Sequence, residues 1–308
     1  MKILITDAVH DILIERLIES GHHIDYMPSI SKEEVIKIIA SYDGIVINSK
    51  ITCDQLFIDQ AVKLQFIARL GSGIEIIDVA YAKAKGIHVY RSPEGNCDAV
   101  AEHAIGMLLS LSNQLNKGDR AVRALKWDRE ANRGWEIGGR TVGVIGYGYT
   151  GRAFCQRIRP FCKRLLVYDK YVNGFGSASI EECLSMDAIF EEADILSLHI
   201  PFTDETKGLF NASYFSSFKK PFVLINTSRG GIVETKSLIN CLQNGKVLGA
   251  CLDVFENEKP NTYNESEVKM YNELFSISNI VLSPHVAGWT HESKFKLANL
   301  LADRILMV

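Results

Sequence analysis

Thr141-Val142-Gly143-Val144-Ile145-Gly146-Tyr147-Gly148-Tyr149-Thr150-Gly151 reads as an apolar strand that runs into G-x-G-x-x-G and then into a helix at Arg152. Gly146 permits a tight turn. Gly148 lets the backbone approach a pyrophosphate with no Cβ in the way, and Gly151 lets the helix pack closely on the strand. The amides at the helix start face the phosphates, helped by the positive end of the helix dipole. Tyr147, Tyr149 and Thr150 lie inside the same loop and are candidate cofactor contacts. The next strand, Arg164 to Tyr168, is closed by Asp169, 18 residues beyond Gly151. A carboxylate there accepts both hydroxyls of an adenosine ribose and repels a 2′-phosphate, so NAD is favoured over NADP. Lys170 follows directly and works against that preference.

Strand and helix signals alternate on either side of this loop. Strands are expected at Lys2 to Asp7, His23 to Tyr26, Gly44 to Asn48, Phe66 to Arg69 and His88 to Tyr90. Later ones fall at Ile195 to His199, Phe222 to Ser228, Gly249 to Val254 and Ile280 to Ser283. Helices lie between them; one opens on a capping box, Ser31 with Glu34. This rhythm predicts an α/β fold with parallel sheets covered by helices. Asp98 to Lys126 reads as one long helix, Asn257 to Asn272 as a long polar surface loop, and the last twenty residues as a final helix. The break near Asp98 is a first domain boundary and a second crossing falls near Gly288.

Length and composition set bounds. The 308 residues predict two domains, and 47% apolar against 23% charged residues is ordinary for a globular enzyme. The net charge of -3 leaves no basic excess for a phosphate backbone, so nucleic acid is not an expected partner. No apolar run reaches the roughly 18 residues of a membrane helix, so no membrane association is expected. The first residues are too short and too quickly acidic for a signal peptide. Seven cysteines, an odd number with no C-x-x-C pair, fit reduced thiols in a cytoplasm. The histidines are scattered without ligand spacing, so no metal is expected.

Chemistry on a small hydroxy acid needs a fixed cation, a proton carrier and a partner for that carrier, all at the carboxyl ends of strands. Phe222 to Gly231 is an apolar strand that delivers Arg229, whose guanidinium can grip a carboxylate in bidentate fashion. Ile280 to Trp289 delivers His285 to the same edge, and histidine can move a proton in either direction near neutrality. Glu258, after Asp253-Val254-Phe255, can bond the imidazole, fix its tautomer and stabilise its charged form. His199 ends a strand and is expected to line the cofactor site, whereas His103 beside Glu102 reads as a helix-surface pair.

Taken in order, these segments resemble the D-isomer-specific 2-hydroxyacid dehydrogenase family over nearly the whole chain. The likeness rests on Arg69-Leu70-Gly71-Ser72-Gly73 with Asp78, on Asn96 with Val100 to His103, and on the Gly146 to Gly151 loop. It continues through His199-Ile200-Pro201-Phe202-Thr203 with Thr206, Asn226 to Gly230, Asp253-Val254-Phe255 with Glu258, and Ser283 to Gly288. The resemblance implies two Rossmann-like doubly wound parallel-sheet domains. The NAD domain, residues 98–287, is inserted in a substrate domain formed by residues 1–97 and 288–308.

It further implies that Arg229, Glu258 and His285 are catalytic. Backbone amides around Ser72 and Gly73 would bind the substrate carboxylate together with Arg229 and His285, and Asp253 would hold the nicotinamide carboxamide. Pro201, Thr206, Thr227, Ser228 and Gly288 would complete the cofactor contacts. The usual members are homodimers joined through the cofactor domain, partly by the long helix. Short 3-phosphoglycerate-dehydrogenase-like members come nearest, and Lys50 stands where a phosphate-binding cation is sought, although Asn48 occupies a position where arginine is frequent. Glu258 is followed by Lys259 before Pro260, a departure from the family pattern. A glyoxylate or hydroxypyruvate reductase is the second expectation, and an NAD-sensing binding protein is the alternative of another class.

Overall fold

The first sheet is built from β1 (Lys2–Ile5), β2 (His23–Tyr26), β3 (Gly44–Ile47), β4 (Phe66–Arg69) and β5 (His88–Arg91). The strands are parallel in the order β2-β1-β3-β4-β5. Alternation along them sorts the apolar residues onto two faces. Leu4, Ile45, Ile47 and Ile67 share one core with Val35 and Phe57, while Ile3, Ile5, Val46, Phe66 and Ala68 share the other. The second core is completed by Leu13 and Leu17 of helix Asp11–Glu19 and by Ala298, Leu301 and Ile305 of the final helix, His291–Ile305. The capping box at Ser31 forms, with Glu34 N donating to Ser31 Oγ (3.2 Å) and Ser31 N to Glu34 Oε2 (2.8 Å).

The second sheet holds β6 (Thr141–Ile145), β7 (Arg164–Tyr168), β8 (Glu181–Cys183), β9 (Ile195–Leu198), β10 (Phe222–Asn226), β11 (Val247–Leu252) and β12 (Ile280–Leu282). All pair in parallel in the order β12-β11-β10-β9-β6-β7-β8. Its inner strands β6, β9 and β10 are buried along their whole length, as a sheet covered on both faces requires. The chain runs outward from β6 to β8, then returns to β9 and runs the other way. The direction reverses between β6 and β9, and in open α/β sheets the ligand crevice lies at the carboxyl ends of such a pair.

The structure, a computed structural model, describes residues 1–307. The chain divides into two units: residues 1–97 with the segment from Trp289 onward, and Asp98–Gly288. Gly288 thus falls with the second unit, and Val308, the last residue of the expected 288–308 segment, lies outside the described residues. No helix among the described residues is long and apolar enough to cross a membrane.

Two expectations need correction. The single helix over Asp98 to Lys126 is two helices, Cys97–Ser112 and Leu115–Arg123, broken where Gln114 adopts φ +55°. A left-handed residue cannot continue a right-handed helix. The expected loop from Asn257 to Asn272 gives way at Glu265 to the helix Glu265–Ser276, opened by a capping box between Asn264 and Glu267 and buried through Tyr271 and Leu274.

Candidate active site

The glycine turn follows β6 at the reversal point. Gly146 has φ +97°, and a Cβ there would collide with the His199 carbonyl oxygen. A Cβ on Gly151 would collide with the Gly146 carbonyl oxygen. Gly148 differs: a Cβ there would have nothing within 4 Å. Two glycines are therefore demanded by packing, and the third leaves clear space before the helix Tyr149–Ile158. One Asp169 oxygen accepts the Tyr147 amide (2.6 Å) and the other accepts those of Tyr171 (2.8 Å) and Val172 (2.9 Å). The acid is thereby locked to the turn.

His199 sits beneath the turn, its Nε2 2.9 Å from Ser197 Oγ. Burial pushes its pKa down to about 3, so it stays neutral and acts by packing and hydrogen bonding. Thr206 Oγ1 donates to the Pro201 carbonyl (2.7 Å), which folds the segment after β9 into a closed loop. After β10, Asn226 Oδ1 accepts the Ser228 amide and hydroxyl, and its Nδ2 donates to the Arg229 carbonyl (3.1 Å). Asn226 thus shapes the turn that presents Arg229. The Thr227 hydroxyl is buried there with no protein partner.

β11 and β12 supply the titrating pair. Since Glu258 is an acceptor, His285 Nδ1 donates to its Oε2 at 2.7 Å, and Nε2 is the nitrogen left for a reacting proton. Glu258 Oε1 accepts the Phe255 amide (3.2 Å). Burial raises the Glu258 pKa, but the bond from His285, the Phe255 amide and the charges of His285 and Arg229 outweigh it, so the carboxyl lies below its ordinary range. Arg229, Glu258 and His285 line one pocket of about 450 Å³ with Phe202, Gly231 and Lys259. A Cβ on Gly230 would run into the Phe255 carbonyl, so the turns carrying Arg229 and Glu258 approach as closely as a glycine permits.

His285 itself is left-handed, φ +57°, which a β-carbon makes unfavourable by roughly 1–2 kcal/mol. Asp253, wholly buried, holds it there. Its main-chain carbonyl accepts the His285 amide (2.8 Å), and its carboxylate accepts Val286 N (2.9 Å), Ala287 N (2.8 Å) and Ser283 Oγ (2.5 Å). With the serine proton committed to the carboxylate, His103 Nε2 is the donor to Ser283 Oγ (2.8 Å). Local pattern did not single out Ser283, His103 or Asn226 as site residues. Asn257 was missed too: its amide meets Tyr271 Oη, its carbonyl meets Tyr263 Oη, and its side chain bonds Thr262, Glu267 and Lys259, which pins the Glu258 loop.

Residues 105–287, more than half of the chain, match the family model "D-isomer specific 2-hydroxyacid dehydrogenase, NAD binding domain". The chain belongs to the D-isomer specific 2-hydroxyacid dehydrogenase family. It is 32% identical over 307 residues to a D-3-phosphoglycerate dehydrogenase of Archaeoglobus fulgidus, covering 99% of this chain and 57% of that protein. It is 33% identical over 283 residues to a hydroxypyruvate reductase of Thermotoga maritima, covering 90% of this chain and 88% of that one. The structure matches that of an Aquifex aeolicus D-lactate dehydrogenase, complexed with NAD and lactic acid, with a TM-score of 0.86 at 26% identity, covering 99% and 94% of the two chains. The chain spans little more than half the length of the phosphoglycerate dehydrogenases it matches.

The cofactor of this family domain is NAD, and the residues fit it. The clear space at Gly148, the acid at Asp169 and the unpartnered Thr227 hydroxyl are what a dinucleotide needs along one sheet edge. The residues expected to bind substrate in the first unit make contacts within that unit. Lys50 Nζ donates to the carbonyls of Thr6 (2.5 Å) and Pro28 (2.9 Å). The Ser72 carbonyl accepts Arg91 Nη1 (3.0 Å), and the Gly73 carbonyl accepts Arg69 Nη1. Among the described residues, no group of three or more His, Cys, Asp or Glu could hold a metal.

Proposed function

We propose that the chain is an NAD-dependent oxidoreductase acting at C2 of a small D-2-hydroxy or 2-oxo acid. The observation that carries this is the 2.7 Å His285–Glu258 pair in one pocket with Arg229, on the sheet edge that bears the glycine turn. Bound NAD supplies the hydride acceptor or donor. In oxidation, His285 Nε2 takes the hydroxyl proton, and Glu258 stabilises the resulting imidazolium. In reduction, His285 starts protonated and returns that proton to the oxygen. Arg229 grips the carboxylate and stabilises charge on the reacting oxygen. Asp98–Gly288 carries the cofactor together with Arg229, Glu258 and His285.

The substrate class favoured is a 3-phosphoglycerate-like acid, in keeping with the relatives. Hydroxypyruvate or glyoxylate reduction is the second reading, favoured by the engagement of Lys50 with two main-chain carbonyls. A homodimer through the second unit is supported by Leu125 and Trp127, which stand 91% and 78% exposed. A cytoplasmic location fits seven free thiols.

An NADH-oxidation screen over glyoxylate, hydroxypyruvate, its phosphate and pyruvate tests this reading. His285→Ala should then lose about two to four decades of turnover with NAD affinity kept. A variant within a few-fold of the parent rejects the role of His285. NAD binding without turnover on any acid favours a sensing protein instead.

A further inference from the structure

In the second sheet β6 lies between β9 and β7, so the segments leaving β9 and β7 stand on either side of the glycine turn. One carboxylate oxygen bridges them. Glu205 Oε2, from the loop after β9, accepts Lys170 Nζ (2.8 Å) and Tyr171 Oη (2.6 Å) from the segment after β7. On the near side Lys170 is the residue next to Asp169, which the Tyr147, Tyr171 and Val172 amides hold in place. On the far side Glu205 precedes Thr206, whose hydroxyl closes the loop onto Pro201. Both anchors of the bridge are therefore fixed by other contacts.

We propose that Glu205 is a coenzyme-discriminating residue: by occupying the Lys170 ammonium, it denies that cation to the 2′-phosphate of NADP. This rests on the NAD reading of the glycine turn and Asp169. The reasoning is one of charge. Asp169 alone disfavours a 2′-phosphate, whereas the Lys170 ammonium next to it, of opposite sign, would attract one. With Glu205 in contact, the corner holds two carboxylates to one ammonium and stays hostile to a dianion. With Glu205 neutral, the charges of Asp169 and Lys170 balance and the ammonium is released.

The bridge is more than half exposed at both ends, so it adds little to folding stability. Its effect is on the local field and on where the ammonium is held. The charged partners reinforce each other: Lys170 holds the Glu205 carboxyl below its ordinary range, and Glu205 holds the Lys170 ammonium above its own.

Dissociation constants for NAD and NADP, by protein fluorescence or calorimetry, are to be measured on the wild type, Glu205→Gln, Lys170→Ala and the double variant, with 2′,5′-ADP as a probe of the phosphate subsite. Glu205→Gln should bind NADP and 2′,5′-ADP about three- to tenfold more tightly, as one released charge-assisted contact at an exposed site predicts, with NAD affinity within about twofold. The gain should disappear in the double variant and shrink as salt is raised. An unchanged NADP-to-NAD ratio in Glu205→Gln, or a gain that survives without Lys170, overturns the proposal while leaving the NAD reading intact. A wild type that binds no NAD overturns both.

Discussion

Asp253→Asn is the most informative single change. The carboxylate satisfies Ser283 Oγ, Val286 N and Ala287 N at 2.5–2.9 Å in a fully buried position. An asparagine offers one oxygen and two N–H donors, so at least one of those three donors meets another donor. A buried donor left unpaired destabilises by about 1–3 kcal/mol, and the remaining bonds lose their charge assistance. The strain at His285, about 1–2 kcal/mol, is then no longer held by a complete set of contacts. A net loss of about 2–3 kcal/mol follows, which for a unit of this size lowers Tm by roughly 4–12 °C. The imidazole should also lose its aim, and an ångström of misplacement costs about a hundredfold in turnover. Thermal unfolding and steady-state turnover on the best 2-oxo acid test both parts. A variant that melts within about 2 °C of wild type and turns over within about threefold would show that Asp253 does not hold the His285 turn.

The glycine turn separates packing from binding. Gly151→Ala should fail to fold or melt far below wild type, because its Cβ meets the Gly146 carbonyl, while Gly148→Ala should fold normally and lose NAD affinity at least about tenfold; calorimetry of both variants decides, and a Gly148→Ala that binds NAD like the parent contradicts the cofactor placement. Glu258 predicts a pH dependence. Its folded pKa lies below the unfolded value of about 4.3, so its contribution to stability is complete above that value and is lost as pH falls through the folded one. The stability gap between wild type and Glu258→Gln should therefore close in acid, and a gap that widens toward low pH in a Tm-against-pH series would contradict a depressed Glu258 pKa.

Strand exits were legible because buried parallel strands are continuous apolar runs, and chemistry-bearing residues at their ends stand out against them. That is why Arg229, His285 and Asp169 were readable one at a time. The helix Glu265–Ser276 was not, because its polar residues outnumber its buried ones; the capping pair Asn264 and Glu267, with Tyr271 and Leu274 three apart, is the signal that was present. The break at Gln114 carries neither glycine nor proline, so no local rule marks it. The support around His285 is invisible to any window: Asp253, Ser283 and His103 meet across as many as 180 residues of chain, and no glycine marks the left-handed turn at position 285. Lys50 shows the converse, a cation whose sequence position suggested a ligand and whose ammonium is taken up by main-chain carbonyls.

The three-residue strand β12 is the outermost of its sheet and pairs with β11 alone, through Ala250–Ile280, Cys251–Val281 and Leu252–Leu282. That register sets Ser283 opposite Asp253 and so delivers the imidazole. The proton carrier therefore rides on a peripheral strand that can fray without the rest of the sheet opening. Warming should silence turnover before the bulk of the molecule melts, with hydrogen exchange rising first along 280–287.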